Sequence, residues 1–275
     1  MQRDFIDYPI EVSLETQALC NAACTFCPYP TLERKGTKMS DELVDKIVSE
    51  IISWQRGLYF SPFKVNEPLL DPRTIPLCER INREAPQIVL RLFTNGSALT
   101  PSKIDAIAKL KQVACLWVSL NEHRPEEYEK LMGLKFEITA RRLDDLHSRE
   151  NFPHAVMLST VGYPNEDFRR YCFERWPKFE SLAIKKDGWL GYTDPQNPLI
   201  PDTGCSRWFE LSIAATGKVA HCCMHSGADE RYNIGDANTQ SLYEIYNSEF
   251  WRERRETLMS RKALDDRSPC ARCTY

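Results

Sequence analysis

The sequence of 275 residues predicts an α/β protein, a partial (β/α)6 TIM-like barrel followed by a small C-terminal domain made of a β-hairpin plus helix. Strand-like and helix-like segments alternate in about six units before residue 187, and such alternation is typical of βαβ units in a parallel sheet. Residues 188–204 are then rich in Gly, Pro, Asn and Asp, which predicts a linker. The expected domains are therefore 1–186 and 187–275.

The strands of the predicted barrel are short apolar or alternating segments. They are expected at 9–16, 58–65, 88–93, 113–120, 155–161 and 181–185. In the first of them, Ile10, Val12 and Leu14 alternate with polar residues, as a strand with one buried face requires. Two further strands, at 209–214 and 219–222, are expected to form the C-terminal hairpin.

The helices between these strands have apolar residues at helical spacing. They are expected from residue 40, at 73–84, from residue 100, at 136–147, at 165–175, and in the C-terminal part at 241–246 and 250–258. Ser40 is the expected N-cap of the first helix, with Asp41 and Glu42 in the first turn, where the helix dipole favours acidic side chains. In parallel sheets of this kind, ligands bind at the carboxyl ends of the strands.

Composition and charge limit the classes of partner. The formal net charge is -3 and the pI is ≈ 6.0, so neither nucleic acid nor an anionic membrane is expected as a partner. No apolar run approaches the length that spans a bilayer, and the protein is expected to be cytoplasmic. Eleven cysteines in a cytoplasmic protein indicate metal or redox use rather than disulfide bonds.

The most specific motif is C-N-A-A-C-T-F-C, which places Cys20, Cys24 and Cys27 shortly after the first strand. At this cysteine content, such a spacing arises by chance about 0.013 times per chain. Three thiolates hold a four-iron cluster at three irons and leave the fourth iron open. An open metal position is typical of catalytic rather than structural sites. A zinc knuckle and a disulfide framework are the alternatives, and both fit the spacing less well.

The same motif, in a chain of alternating strands and helices, resembles the radical S-adenosylmethionine (SAM) enzymes over about residues 9–186. The resemblance implies that SAM binds the open iron through its methionyl amino and carboxylate groups. It also implies that the reduced cluster cleaves SAM to a 5′-deoxyadenosyl radical, which abstracts a hydrogen atom from a substrate. The cofactors then carry the chemistry, and the protein positions them.

Further motifs match that family in order along the chain. Phe26 corresponds to the aromatic residue that packs on the adenine. Asn66-Glu67-Pro68 stands where the family commonly has G-G-E-P, which implies that Asn66 and Glu67 receive the methionyl ammonium. The residues implied to line the ribose and the carboxylate of SAM are Thr94, Asn95, Ser119 and Asn121. Each of these short motifs is also compatible with an ordinary turn or strand end.

A second cysteine set resembles the auxiliary iron–sulfur domain that follows many radical SAM cores. Its members are Cys205, Cys222, Cys270 and Cys273, with Gly217 at the family spacing. The resemblance implies one auxiliary four-iron cluster with four ligands, the shortened or "twitch" form of the longer SPASM domain. The chain would then hold two four-iron clusters. A structural zinc ion held by the same four cysteines is the alternative.

Residues near the second set supply weak catalytic candidates. Cys222 and Cys223 are neighbours in a predicted strand, so their side chains point to opposite faces, and the glycine spacing favours Cys222 as the ligand. The weak candidates are His221, His225 and the spare Cys223, since a histidine accepts a proton near neutral pH and a thiol returns a hydrogen atom.

An auxiliary cluster without an open iron cannot bind substrate, so electron transfer is its expected role. Loss of a proton and an electron after hydrogen abstraction is a two-electron oxidation, as in the similar aminocyclitol dehydrogenases. The leading prediction is a radical SAM oxidoreductase that oxidises a small polar metabolite, such as an alcohol to a ketone, with a flavodoxin or ferredoxin as electron donor. The alternatives are a maturase that modifies a ribosomal peptide, a redox-neutral epimerase or eliminase, and, from another class, a zinc-binding interaction protein. No sequence pattern distinguishes these substrates.

Overall fold

One sheet runs through the part of the chain that the computed structural model describes, which comprises residues 4–220, 222–224, 232–265 and 268–275. Its strands are β1 (Glu11–Leu14), β2 (Tyr59–Ser61), β3 (Val89–Thr94), β4 (Val113–Ser119), β5 (Val156–Val161), β6 (Glu180–Ile184), β7 (Glu210–Ile213), β8 (Lys218–Ala220) and β9 (Gly235–Asp236). The spatial order is β6-β5-β4-β3-β2-β1-β7-β8-β9.

The helices alternate with the strands as predicted. They are α1 (Asp4–Asp7), α2 (Asp41–Ser53), α3 (Thr74–Glu84), α4 (Pro101–Ile107), α5 (Pro125–Met132), α6 (Phe136–His147), α7 (Glu166–Arg175), α8 (Leu242–Tyr246) and α9 (Glu249–Thr257). No helix among the described residues combines the length and the apolar character that crossing a bilayer requires.

The strands β1 to β6 are parallel and lie in sequence order, which is the arrangement of a partial TIM-like barrel. β7 then pairs in parallel with the free side of β1, with Glu11 opposite Glu210 and Leu14 opposite Ile213. β8 and β9 follow in antiparallel order. The C-terminal hairpin therefore continues the barrel sheet, a pairing that the sequence did not predict.

The two faces of the sheet have different composition. Val12, Leu14 and Phe60 are buried in the main core, against the helices. Because side chains alternate along a strand, their neighbours point to the inner face. Ser13 is there, opposite Ser61 on one side and Ser212 on the other. The inner face near β1 is thus lined by small polar groups, which suit a polar ligand.

The first helix begins as the sequence predicts. The Ser40 hydroxyl accepts a hydrogen bond from the Leu43 backbone N–H at 3.2 Å, which caps α2. The helix α5 was not predicted, although a proline at its first turn and Gly133 at its C-cap are ordinary boundary signals. Only Tyr128 and Met132 of α5 are buried, so the helix has too few apolar residues to form a recognisable stripe.

The C-terminal part is attached to the barrel through α2 as well as through β7. The Glu50 carboxylate accepts hydrogen bonds from the backbone N–H groups of Leu242 and Tyr243, both at 2.9 Å, at the start of α8. The Lys46 ammonium donates to the carbonyl oxygens of Ala237 and Gln240. The Glu50 contacts satisfy N–H groups at the start of α8 that have no partner within the helix.

Candidate active site and auxiliary cysteine site

The cysteine loop lies beyond the carboxyl end of β1 and is held by the end of α5. The backbone N–H of Ala23 donates to the Met132 carbonyl oxygen at 2.8 Å, and that of Thr25 donates to the Leu131 carbonyl oxygen at 3.0 Å. Gly133 faces the loop, and a Cβ there would lie 3.1 Å from the Ala23 Cβ. The helix that sequence analysis missed is therefore the one that positions this loop.

The thiols of Cys20, Cys24 and Cys27 are here called the first cysteine site. They lie close enough that the charge of one thiolate would affect the pKa of another. Burial raises the pKa of Cys20 to about 12, and the charges of Glu67 and Cys27 raise it further. Burial also raises the pKa of Cys24, with Cys27 and Cys20 as the next causes. Without metal these thiols stay protonated at neutral pH, and binding of a metal cluster must displace their protons.

Glu67, Thr94 and Asn95, which sequence analysis placed at the SAM site, form one hydrogen-bonded group. The Glu67 carboxylate accepts from the Thr94 hydroxyl at 2.8 Å and from the Asn95 backbone N–H at 2.6 Å. It also accepts from the Leu69 backbone N–H at 3.1 Å. Burial raises the pKa of Glu67 to about 7. The Asn95 amide extends the group to the first cysteine site, with its Nδ2 3.9 Å from the Cys20 Sγ.

Two buried amide atoms near these residues lack a hydrogen-bond partner within the described residues. They are Nδ2 of Asn66 and Oδ1 of Asn121. Asn121 also has a left-handed backbone, with φ 66°, which is uncommon for a residue other than glycine. Buried polar atoms are normally paired, so the two atoms point to a polar ligand. Their placement fits SAM, whose methionyl and ribose groups both donate and accept hydrogen bonds.

The remaining residues assigned to SAM lie in other surroundings. Phe26 is half-buried and packs on the main core. Ser119 is opposite Ser159 in the pairing of β4 with β5. Among the described residues, neither side chain takes part in the Glu67 hydrogen-bonded group. The Met132 sulfur, which sequence analysis did not single out, contacts both the Asn121 Nδ2 at 3.1 Å and the Cys24 Sγ at 3.5 Å.

Cys205, Cys222, Cys270 and Cys273, here called the auxiliary site, all line one cavity. Cys205 precedes a short 3-10 helix (Ser206–Phe209) that leads into β7, and Cys270 lies in another (Pro269–Arg272). The Trp208 indole N–H lies 3.5 Å from the Cys270 sulfur. The structure thus brings together four cysteines that are separated by up to 68 positions, from 205 to 273.

The weak catalytic candidates have different outcomes. Cys223 does not line the auxiliary cavity, and the charged groups that affect its pKa are Arg207, Glu210, Lys64 and Glu11. Glu11 and Glu210 lie opposite each other at the start of β1 and β7. His221 and His225 lie outside the described residues.

The linker runs between the two cysteine sites. Trp189 packs on the same small apolar cluster as Cys20 and Cys27, whereas its neighbour Leu190 lines the auxiliary cavity. Both residues have left-handed backbones, with φ 48° and φ 56°. Non-glycine residues in this region are strained and persist only where the surrounding structure holds them. Linker composition gave no signal of this placement.

A buried ion pair also lies between the sites. The Arg34 guanidinium donates to the Glu15 carboxylate at 2.8 and 3.1 Å, and both side chains are buried. Glu15 also accepts from the Ala215 backbone N–H at 3.1 Å, just beyond β7. The charge of Arg34 acts on Cys27, whose pKa is raised chiefly by burial and lowered by this cation.

The donors of both cysteine sites are thiols. A four-iron cluster binds each thiolate at a different iron. The donor chemistry of both cysteine sets therefore suits iron–sulfur clusters.

A parallel partial barrel with three thiols beyond the end of its first strand, and four more thiols that line one cavity, is the arrangement expected of an iron–sulfur enzyme. The sequence matches the Radical SAM superfamily over residues 14–171 and the SPASM iron–sulfur cluster-binding domain over residues 205–274. The chain belongs to the radical SAM superfamily, and its two domains imply SAM and iron–sulfur clusters as cofactors. No curated protein matches the chain.

Solved structures share the fold over nearly the whole chain. BtrN in complex with AdoMet and 2-DOIA has a TM-score of 0.67 at 14% identity, covering 97% of this chain and 93% of BtrN. SuiB of Streptococcus suis bound to precursor peptide SuiA has a TM-score of 0.69 at 14% identity, covering 97% of this chain and 70% of SuiB. Native anSMEcpe with bound AdoMet has a TM-score of 0.64 at 12% identity, covering 91% and 83%.

Proposed function

We propose that the protein is a radical SAM oxidoreductase with two four-iron clusters, one at the first cysteine site and one at the auxiliary site. Its substrate is a small polar metabolite, oxidised as an alcohol is oxidised to a ketone. The observation that carries this proposal is the auxiliary cavity, which four cysteines line together. Four thiolates leave a four-iron cluster without an open position, and such a cluster transfers electrons rather than binding substrate.

The residues around Glu67 are those that would hold SAM. A carboxylate accepts about four hydrogen bonds, and the protein supplies three to Glu67, so one position remains for the methionyl ammonium. The Nδ2 donor of Asn66, unpaired within the described residues, suits the methionyl carboxylate. Phe26 would pack on the adenine. When bound, the reduced cluster and SAM supply the 5′-deoxyadenosyl radical.

The inner face of the barrel supports a polar substrate. At the amino ends of β1 and β2, the Arg91 guanidinium lies 3.7 Å over the Tyr59 ring and pairs with Glu11 at 2.7 Å, so these groups are bonded to one another. Further along the same face, toward the carboxyl ends of the strands, the Phe93 ring lies 5.6 Å from the Trp117 ring. Flat rings beside a few polar groups suit a small cyclic substrate with polar substituents.

The oxidation balances in hydrogen atoms and electrons. One electron from an external donor is used in cleaving SAM, and the substrate C–H hydrogen atom passes to the deoxyadenosyl group. The substrate radical then loses its hydroxyl proton and one electron, which returns the electron that was supplied. A flavodoxin or ferredoxin in the cytoplasm is the proposed donor.

The test is an anaerobic assay of the reconstituted protein with a panel of polyols and aminocyclitols. We expect one ketone per 5′-deoxyadenosine, and transfer of deuterium from a carbinol carbon of the substrate into 5′-deoxyadenosine. Iron analysis accompanies it, with about eight irons and eight sulfides per chain expected for two four-iron clusters. Zinc in place of iron would instead support the zinc-binding interaction protein and remove the enzyme proposal.

Redox-neutral epimerisation is the second candidate, favoured by the spare thiol of Cys223, which does not line the auxiliary cavity. Burial raises the pKa of Cys223 to about 11, so its thiol keeps its hydrogen at neutral pH. Such a thiol would give its hydrogen atom to the substrate radical, and the resulting sulfur radical would take an electron from the flavodoxin or ferredoxin donor and a proton from solvent. In D2O this reaction places deuterium in the product, and Cys223→Ala abolishes the incorporation. Oxidation incorporates none.

Peptide modification is the remaining alternative, and the solved SuiB structure contains a precursor peptide. The chain covers 93% of BtrN but 70% of SuiB, so the match to BtrN extends over more of that protein. We therefore place the small metabolite first. A peptide substrate would be shown by 5′-deoxyadenosine formation that rises with a peptide and with no small metabolite.

A further inference from the structure

We propose that Lys64 and Arg254 are the counter-ions of the auxiliary cluster and stabilise its reduced state, so that it accepts an electron readily. This inference rests on the proposed function, because it requires a cluster at the auxiliary site. The inference names the residues that would favour electron transfer from the substrate radical to the auxiliary cluster. Neither the cysteine spacing nor the similarity of fold identifies these residues.

Lys64 is a buried cation without an anionic partner among the described residues. Lys64 comes shortly after β2 in the chain and is 4% exposed. Its ammonium donates a hydrogen bond to the Ser212 hydroxyl at 2.7 Å. An ammonium has three N–H donors, and this bond uses one. In the part of the chain that the structure describes, no carboxylate lies within ion-pair distance of it, and the nearby Glu15 is bound to Arg34.

The hydrogen bond of Lys64 places it beside the strands that lead to the auxiliary site. The Ser212 hydroxyl that accepts from its ammonium lies in β7, opposite Ala220 of β8, and Cys222 follows Ala220 by two residues. Burial lowers the pKa of Lys64, and the charge of Cys222 acts in the opposite direction. Cys222 lines the auxiliary cavity.

Arg254 approaches the same site from α9. Its residue is 6% exposed, and its guanidinium donates to the Phe250 carbonyl oxygen at 3.1 Å and lies 3.4 Å over the Phe250 ring. Its Nε has no partner within the described residues. The guanidinium also lies 5.1 Å from the ring of Trp251, which packs in one apolar cluster with Cys270 of the auxiliary site. Burial lowers the pKa of Arg254, and the charge of Cys270 acts in the opposite direction.

Two further cations line the auxiliary cavity itself. Arg207 pairs with Glu210 at 2.6 Å, and Arg261 donates to the backbone oxygens of Thr203 and Tyr275. Lys64 and Arg254 each retain N–H donors without a partner among the described residues, Arg254 at its buried Nε. Neither has an opposite charge within ion-pair distance in that part of the chain, so each still lacks a charge partner.

An iron–sulfur cluster with four thiolate ligands is that partner. A buried charge without an opposite charge is costly, whereas a tetrathiolate cluster is a net anion and gains a further negative charge on reduction. Two buried cations near it favour the more negative, reduced state. The structure therefore gives the auxiliary site the electrostatics of an electron acceptor.

The first experiment measures the midpoint potential of the auxiliary cluster alone. The full chain with Cys20→Ala, Cys24→Ala and Cys27→Ala retains only that cluster, which is titrated with dithionite and followed by electron paramagnetic resonance. We expect Lys64→Met and Arg254→Met each to shift the potential to more negative values, because each removes a cation that stabilises the reduced state. Arg254→Lys keeps the charge and restores the potential.

The matched control is Arg252→Met on the same helix. Arg252 is half-exposed and pairs with Asp7 at 2.6 Å, so solvent screens its charge and the potential should not change. Unchanged potentials in both Lys64→Met and Arg254→Met would overturn the inference while leaving the auxiliary cluster in place. A triple-cysteine variant that holds no iron would overturn the proposed auxiliary cluster and this inference together.

A second measurement does not depend on a redox signal. In cluster-free protein, Lys64→Met removes a buried unpaired charge and should raise the midpoint temperature of unfolding. In cluster-loaded protein the same change removes a counter-ion and should lower that temperature. A shift of the same sign in both forms would contradict the counter-ion role.

Discussion

The two cysteine sites differ in what surrounds the sulfur atoms. Around the first cysteine site the cation Arg34 is neutralised by Glu15, and the unpaired groups among the described residues are the neutral amides of Asn66 and Asn121. Near the auxiliary site, in the described part of the chain, Lys64 and Arg254 are buried cations without an ion-pair partner. The difference indicates two tasks for similar ligands: neutral donors and acceptors suit a polar molecule that binds and leaves, whereas fixed cations suit a permanent anion.

The comparison is tested most severely by removing a ligand from the first site. Cys20→Ala should abolish SAM cleavage and reduce iron from about eight to about four per chain, because three thiolates are needed to hold a cluster with one open iron. The assay is 5′-deoxyadenosine formation with dithionite as reductant. Cys78→Ala, in a buried position on α3, is the control and should retain both iron and cleavage. Cleavage by Cys20→Ala at the parent rate would end the assignment of the first site.

Removing an auxiliary ligand separates the two sites further. Cys270→Ala should still cleave SAM, because the first cluster is intact. Formation of the oxidised product should fall below detection. The measurement is the ratio of product to 5′-deoxyadenosine, which is near one in the parent and near zero in the variant. Equal loss of cleavage and turnover would show that the two sites do not have separate tasks.

Breaking the buried ion pair should reduce the stability of the protein more than breaking an ion pair at the surface. Glu15→Ala removes the buried carboxylate that pairs with Arg34 and accepts from the Ala215 backbone N–H, and should lower the free energy of unfolding by about 3–5 kcal/mol. Arg80→Ala breaks pairs with Asp45 and Glu84 at the surface and should cost less than about 1 kcal/mol. Urea unfolding of the cluster-free protein measures both. Similar losses would mean that the Glu15 pair is not buried in solution.

The smallest expected effect is a pH dependence of stability. Burial raises the pKa of Glu67 and of Glu210 to about 7 from an ordinary value of 4.5. Between these values the folded state holds protons that the unfolded state has lost, so stability should fall as pH rises from about 4.5 to 7. Each pKa unit by which the folded state exceeds the unfolded state lowers the free energy of unfolding by about 1.4 kcal/mol above that window.

The variant for this measurement is Glu210→Gln, compared with the exposed Glu150→Gln. Glu210→Gln should flatten the fall of the unfolding free energy across pH 4.5 to 7 in cluster-free protein, and Glu150→Gln should not. A Glu210→Gln variant whose stability follows the same pH profile as the parent would contradict the raised pKa of Glu210.

The sequence predicted the local structure better than the long-range pairing. α6 has the predicted bounds of 136–147, since apolar residues such as Leu143 and Leu146 repeat at helical spacing. The cysteine motifs were equally informative about the candidate metal sites, because ligands that bind one cluster from a single loop have a characteristic spacing in the sequence. The pairing of β7 with β1 joins residues some 200 positions apart, and no local pattern encodes it.

The candidate site divides in the same way. Family motifs placed Glu67, Thr94 and Asn95 in one group, and the structure gives their hydrogen bonds. The sequence did not identify Lys64 and Arg254, because the residue type does not show whether a lysine or arginine is buried or exposed to solvent. Only their burial, and the lack of a charge partner among the described residues, distinguish them.

The position of β1 between β2 and β7 has a consequence for engineering this molecule. Deleting everything after the linker would leave one side of β1 as a bare edge, a template for aggregation, immediately before the cysteine loop. The two halves are consecutive in sequence but share a strand border in space. They should melt as one cooperative unit, and neither is an exchangeable module.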